Sequence, residues 1–153
     1  MAEGLLYRRA SASDIDRLVE LRRAQLLEEG AEETFDIRPA LRDYYERHFA
    51  DDTFISWIAC DTEGSIVATG GISIAEKPPY FGCPSGRIAL LSSMYTLPAL
   101  RRKGIATELL RRLADEARER GCGVIQVTAS DDGVALYRSF GFSHNANFMQ
   151  YKL

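Results

Sequence analysis

Cysteine is scarce in this chain: Cys60, Cys83 and Cys122 are the only three in 153 residues, and no two form a Cys-x-x-Cys pair. An odd number at wide spacing builds neither a disulfide framework nor a zinc site. The two histidines, His48 and His144, are too isolated to help, so no metal is expected. Long apolar runs are also missing. No stretch approaches the ~20 residues needed to cross a bilayer. Residues 1 to 9, MAEGLLYRR, put no basic region ahead of an apolar core, as a secretory signal would. These absences point to a cytoplasmic protein without a membrane partner. A basic excess is lacking as well: the net charge is −3. Nucleic-acid binding needs such an excess to neutralise phosphates, so no nucleic-acid partner is expected. Neither Gly-x-x-x-x-Gly-Lys-Ser/Thr nor Gly-x-Gly-x-x-Gly occurs, which removes the two commonest glycine-rich nucleotide loops.

What is present suits a single domain over residues 1–153. Hydrophobic residues make up 46% and charged residues 27%, with no internal repeat or low-complexity tract. That is enough apolar material for one core. Leu5 to Arg9 reads as a strand, and Ser13-x-x-Asp16 as a variant capping box. Ile15, Leu18, Val19 and Leu26 then form a helical stripe that ends near Gly30. An acidic loop, residues 28 to 36, leads to a second helix at about 39–50, with Pro39 in its first turn. Phe54 to Cys60 is apolar on both faces, like a central strand. The turn at Asp61-Thr62-Glu63-Gly64 returns the chain as a hairpin strand from Ile66 to Ala75. Within that strand, Gly70-Gly71 signals a bulge or a close backbone approach. Residues 76–86 make an irregular loop. Strands follow at 87–97 and 124–129, joined by a helix of about five turns, and a last strand is expected over Asn147 to Leu153.

The most informative stretch is Pro98-Ala99-Leu100-Arg101-Arg102-Lys103-Gly104-Ile105-Ala106-Thr107. Apolar strand residues precede it, and Ile105, Leu109, Leu113 and Ala117 recur at helical spacing after it. It is a strand-to-helix turn with three cations and a glycine at the helix start. A helix N-terminus exposes unpaired N–H groups and favours anions. Small Gly104 and Ala106 would let a diphosphate approach those amides. Two strands joined by one helix are normally parallel, with the crossover right-handed. Their ligands sit beyond the carboxyl ends of the strands.

Arg101-x-x-Gly104-x-Ala106 resembles the Gln/Arg-x-x-Gly-x-Gly/Ala signature of the GNAT N-acetyltransferase superfamily. Leu136-Tyr137-Arg138-Ser139-Phe140-Gly141-Phe142 is similar to its Leu-Tyr-x-x-x-Gly-Phe element. The resemblance covers residues 86 to 153 by motif and the N-terminal half by pattern. It implies an α/β (α+β) fold: a mixed, mostly antiparallel sheet of six to seven strands, about four helices, and one parallel strand-helix-strand unit at the cofactor cleft. It also implies acetyl-CoA as acyl donor. The pyrophosphate would lie on Arg101, Arg102, Lys103, Gly104, Ile105, Ala106 and Thr107, and the pantetheine arm on the backbone of Met94, Tyr95 and Thr96. Ser130 stands where many members carry a longer-reaching Asn. Tyr137 matches the tyrosine that protonates the leaving thiolate.

The expected reaction is acetyl transfer to a primary amine, with a small molecule as first choice and a protein N-terminus or lysine as second. The other reading is a non-catalytic acyl-CoA sensor or interaction module. It draws on the absence of a carboxylate from residues 88–97, where some family members keep their base. No base is assigned; a water chain, Glu32, Glu33 and Asp131 are the candidates. Glu28, Glu29, Glu32, Glu33 and Asp36 could attract a cationic amine, and Phe35, Tyr80 and Phe81 could wall its pocket. A homodimer is expected by analogy with family members.

Overall fold

The apolar run Phe54–Cys60 forms β2, the strand about which the rest of a five-stranded sheet is organised in this computed structural model. The structure describes residues 4–144 and 147–153. Strand β1 (Leu6–Arg9) pairs antiparallel with β2, β2 with β3 (Ile66–Glu76), and β3 with β4 (Arg87–Thr96). Strand β5 (Val124–Val127) lies parallel to β4, giving the order β1-β2-β3-β4-β5. The crossover between β4 and β5 is α3 (Ile105–Glu119), a helix of about four turns, one fewer than expected.

Helix α1 (Ile15–Glu28) and α2 (Arg38–Ala50) cover one face of the sheet, where Ile15, Leu18, Val19 and Tyr45 pack on Phe54, Ile58 and Ile66. On the other face, Leu110, Leu113 and Ala117 of α3 and Tyr137 of α4 (Val134–Phe140) meet Ile55, Ile72, Ala89 and Leu91. Side chains alternate across the strand, and β2 carries apolar residues on both sides, Ser56 alone being polar, because both faces are covered. The first helical turn is capped two residues earlier than expected. Asp14, not Asp16, takes the Ser11 N–H at 2.8 Å and is held by Arg8, while Asp16 is exposed and pairs with Arg42.

Gly70 and Gly71 mark the bulge that their sequence suggested, while the close approach is made by side chains rather than by another backbone. The β3–β4 register shifts between Thr69 and Gly71. A Cβ on Gly70 would overlap the Met94 thioether, and one on Gly71 would overlap the Phe54 ring. The expected strand at 147–153 does not form. These residues carry no regular structure, and Phe148, Met149, Tyr151 and Leu153 are 68%, 89%, 89% and 115% exposed. The sheet therefore has five strands among the described residues rather than six or seven.

Candidate functional site

The cleft arises from a mismatch in strand length. Pairing between β4 and β5 ends at Leu91–Val127, yet β4 runs five residues further, to Thr96. Ser93 sits in that extension with φ of 59°, in the left-handed region that β-sheet residues avoid. It falls at the register shift with β3, where the strand bends. Two parallel strands that stop pairing leave an opening at their carboxyl ends. The turn after β4 and the segment leading into α4 flank that opening.

The 98–107 turn stands where the sequence placed it. Gly104 is the N-cap of α3 with φ of 82°, and nothing lies within 4 Å of where a Cβ would be. The backbone there is open to an incoming group. The first helical hydrogen bond inside α3 runs from Glu108 N–H to the Gly104 carbonyl. The N–H groups of Ile105, Ala106 and Thr107 thus face outward without intrahelical partners. The Ile105 side chain is buried, so this residue can offer only its backbone. Arg102 and Lys103 are exposed and have no ion pair among the described residues. Three unpartnered amides and two cations without ion pairs thus stand together at a helix start, where the local field favours an anion.

Arg101 is engaged differently. Its guanidinium pairs with Glu28 at 2.7 Å, donates to the Thr96 carbonyl at 2.9 Å and lies 5.4 Å over the Tyr95 ring. This arginine ties the turn to the end of α1 and orients it. The pair holds the Glu28 carboxyl below its ordinary range, chiefly through the hydrogen bond from Arg101.

The backbone of β4 beyond the bulge is anchored from α1. Gln25, itself buried, donates from Nε2 to the Met94 carbonyl at 3.1 Å and to Glu29 Oε1 at 3.3 Å. Arg22 in turn donates to Gln25 Oε1 at 2.9 Å, which fixes the amide orientation. One buried glutamine therefore places the Glu29 carboxylate beside the extended end of β4. From sequence, Glu29 stood out only as one acid of the loop and Gln25 not at all, although their i,i+4 spacing puts them on one helix face.

Tyr137 projects from α4 into the core that reaches the cleft. It is 8% exposed and its ring lies 5.4 Å from that of Phe142. Its hydroxyl has no hydrogen-bond partner among the described residues. Burial pushes its pKa up to about 12, and the negative charge of Glu29 adds to the rise. Here, then, is a neutral phenol with an unused proton, held against the cleft. Ser130 is committed elsewhere: its hydroxyl accepts the Gly133 N–H at 3.3 Å and caps the turn before α4.

The proposed aromatic wall is not assembled. Tyr80 and Phe81 belong to the loop between β3 and β4, at the amino end of β4. The ten residues of β4 span roughly 30 Å, so these two rings lie away from the cleft. Lys77 stacks on Tyr80, and Phe81 is fully exposed. Phe35 remains in the loop after α1 but is 64% exposed. The acidic loop also resolves into parts. Glu28 pairs with Arg101, Glu33 with Arg23 and Asp36 with Arg38, whereas Glu29 and Glu32 have no cationic partner among the described residues.

Known proteins resemble this chain in sequence and in fold. The family model for the acetyltransferase (GNAT) family matches residues 15–142. A crystal structure of a predicted acetyltransferase with acetyl-CoA from Clostridium acetobutylicum superposes with a TM-score of 0.93 at 35% identity, covering 97% of this chain and 96% of that one. An uncharacterised N-acetyltransferase of Escherichia coli, YjgM, is 36% identical over 91 residues, 58% of this chain; the match spans 50% of that protein's length. Aminoglycoside N(6')-acetyltransferase type 1 of Serratia marcescens is 28% identical over 104 residues, 63% of this chain and 68% of that protein.

Proposed function

Because the chain belongs to the GNAT acetyltransferase family, we propose that it transfers an acetyl group from acetyl-CoA to a primary amine of a small molecule. The observation that carries this reading is the convergence, on one strand opening, of an anion-binding turn and an unpartnered phenol. The residues fit the donor. The amides of Ile105, Ala106 and Thr107, with Arg102 and Lys103, would hold its diphosphate, and the open backbone at Gly104 gives access. Met94, Tyr95 and Thr96 offer the strand edge for its extended arm. Bound acetyl-CoA supplies the activated thioester.

The chain's own groups then have two proton tasks. A primary amine with a pKa of about 10.4 is mostly protonated at pH 7, a penalty of roughly 4.6 kcal/mol. Glu29 would bind that ammonium and take its proton, since Gln25 holds its carboxylate near the end of β4 and no cation among the described residues pairs with it. As the amine nitrogen bonds to the acyl carbon, the carbon–sulfur bond breaks and negative charge gathers on sulfur. Tyr137 donates to that sulfur. With its pKa at about 12 against about 8.5 for a thiol, complete transfer would be uphill by ~5 kcal/mol. Tyr137 therefore works mainly as a hydrogen-bond donor to the developing thiolate, and water completes the protonation.

The Serratia relative, an aminoglycoside acetyltransferase, supports a small-molecule acceptor. A protein amine is the second choice, and the acyl-CoA sensor draws only on the lack of a carboxylate in β4. Incubation with acetyl-CoA and a panel of aminoglycosides, amino sugars, polyamines and amine-bearing peptides, read as free thiol release, tests the reading. Turnover on a small amine above that on the peptides is expected. Coenzyme A binding without thiol release on any amine would favour the sensor instead.

A further inference from the structure

We propose that Gln25 is a positioning residue for both halves of the transfer: its single amide fixes the Met94–Tyr95 peptide of β4 relative to the Glu29 carboxylate. The inference rests on the function proposed above. It starts from a backbone outlier. Ser93 is not a glycine, yet its φ is 59° inside a strand. Such conformations persist only where neighbours enforce them, and they gather at functional sites. The sheet itself does not enforce this one. Gly71 pairs with Ser92 and Thr69 with Tyr95, so Ser93 and Met94 together stand opposite the single residue Gly70. On the other side, pairing with β5 has already ended at Leu91. The two residues lie outside both ladders.

Contacts from other elements hold them instead. The Met94 thioether fills the space that a Cβ on Gly70 would need. The Ser93 hydroxyl faces the buried phenol of Tyr45 on α2. Gln25 on α1 donates to the Met94 carbonyl at 3.1 Å. This last contact acts directly on the backbone. A peptide group is planar and trans, so fixing the Met94 carbonyl also fixes the direction of the Tyr95 N–H.

The Gln25 amide has no freedom to turn over. Arg22 donates to its Oε1 at 2.9 Å, and an arginine can only donate, so Nε2 must be the atom that faces Met94. Both Nε2 protons are used, one on Met94 and one on Glu29 Oε1 at 3.3 Å. Gln25 is 6% exposed, so bulk water competes little for these bonds. Burying an amide costs more than burying an apolar side chain of its size; what it gains here is orientation. A carbonyl accepts two hydrogen bonds, which leaves Met94 a lone pair for the donor's extended arm. One amide therefore sets both the strand edge for that arm and the acid meant for the amine.

Gln25→Met keeps the length of the side chain and removes its hydrogen bonds, and the full chain serves for every readout. Calorimetric titration should show coenzyme A bound about tenfold more weakly, the equivalent of one well-placed hydrogen bond. ADP carries a diphosphate but no pantetheine arm, so its affinity, followed by amide chemical shifts, should match the parent's. The carbonyl ¹³C signal of Met94 should move upfield as its hydrogen bond is lost. With donor saturating, single-turnover acetyl transfer should still fall by about tenfold or more, because Glu29 is released as well. Gln25→Glu retains the Arg22 contact but offers no proton to Met94 or Glu29, and should give the same losses. Equal weakening of ADP and coenzyme A would mean a general loosening of the fold and overturns the proposal. So does a variant that binds coenzyme A like the parent. An unchanged single-turnover rate overturns the link to Glu29. A parent that binds coenzyme A but acetylates no amine overturns the proposed function and that link together, while the two titrations still decide the hold on β4.

Discussion

Replacing Tyr137 by Phe separates chemistry from packing at the buried phenol. The ring that meets Phe142 is retained, and the hydroxyl removed has no partner among the described residues. No hydrogen bond is lost from the folded chain, so the unfolding free energy should change by less than about 1 kcal/mol. Turnover should respond far more. A positioned proton donor contributes about 10²–10⁴ in rate, equivalent to ~3–5 kcal/mol of transition-state stabilisation. Because the group acts on the leaving sulfur, the loss should fall on kcat and on kcat/KM alike, with KM for the amine nearly unchanged. The pH profile adds a second constraint. The folded pKa of about 12 means the phenol stays protonated through pH 10, so the parent's rate should show no fall from its ionisation below that pH. The assay is thiol release in a single-turnover mixing experiment, so that product release does not mask the chemical step. A Phe variant with the parent's single-turnover rate would refute the role of Tyr137. So would a parent whose rate falls through a pKa near 9 that the Phe variant lacks.

Glu29→Gln should lower kcat/KM at pH 7 by about 10²–10⁴, and the deficit should narrow as pH rises from 7 to 9. The free-amine fraction grows about tenfold per pH unit below the amine pKa, so the need for a base fades; a deficit constant with pH would show only a structural effect. Glu116→Gln should destabilise the fold by about 2–3 kcal/mol at pH 7, because Glu116 accepts charged hydrogen bonds from Arg9 at 2.7 Å and also binds Trp57. Burial alone would raise the Glu116 pKa, but the Arg9 and Trp57 hydrogen bonds pull it below the ordinary glutamate value. Its stabilisation is therefore full above about pH 4.3 and is lost as pH falls through the lower folded value. Urea unfolding from pH 7 to pH 3 should show parent and variant converging at the acid end; parallel curves would contradict this.

The cleft was legible because its parts are encoded locally. A glycine with positive φ at a helix start, cations just before it and a Leu-Tyr-x-x-x-Gly-Phe run are each written in a few consecutive residues. The hairpin and the central strand were legible for the same reason, through turn residues and periodicity. What failed required knowledge of distant pairing. Tyr80 and Phe81 looked like pocket residues because loops often line sites, but only the direction of β4 shows that their loop lies at the wrong end. Arg101 looked like its neighbours in a basic cluster. Its commitment to Glu28, 73 positions away in the chain, is a tertiary fact. The Gln25–Glu29 arrangement was missed because a glutamine in an apolar helix stripe reads as a solvated position until its Met94 acceptor is seen. A last strand was expected over Asn147 to Leu153, but a strand needs a partner edge, and residues 148–153 join no strand of the sheet.

The central claim is that the turn at 101–107 holds the diphosphate of acetyl-CoA, and calorimetric titration of coenzyme A tests it most directly. Gly104 opens the backbone of α3 at a φ of 82° with free space beyond it. Gly104→Glu would put a carboxylate where the diphosphate meets the amides of Ile105, Ala106 and Thr107, and a longer side chain at a left-handed position adds local strain. Gly104→Asn keeps a residue that tolerates that conformation without adding charge. The parent should bind coenzyme A, the Asn variant should retain measurable binding, and the Glu variant should lose at least about a hundredfold in affinity while its circular dichroism spectrum matches the parent. A folded Glu variant that binds coenzyme A as tightly as the parent would contradict the account.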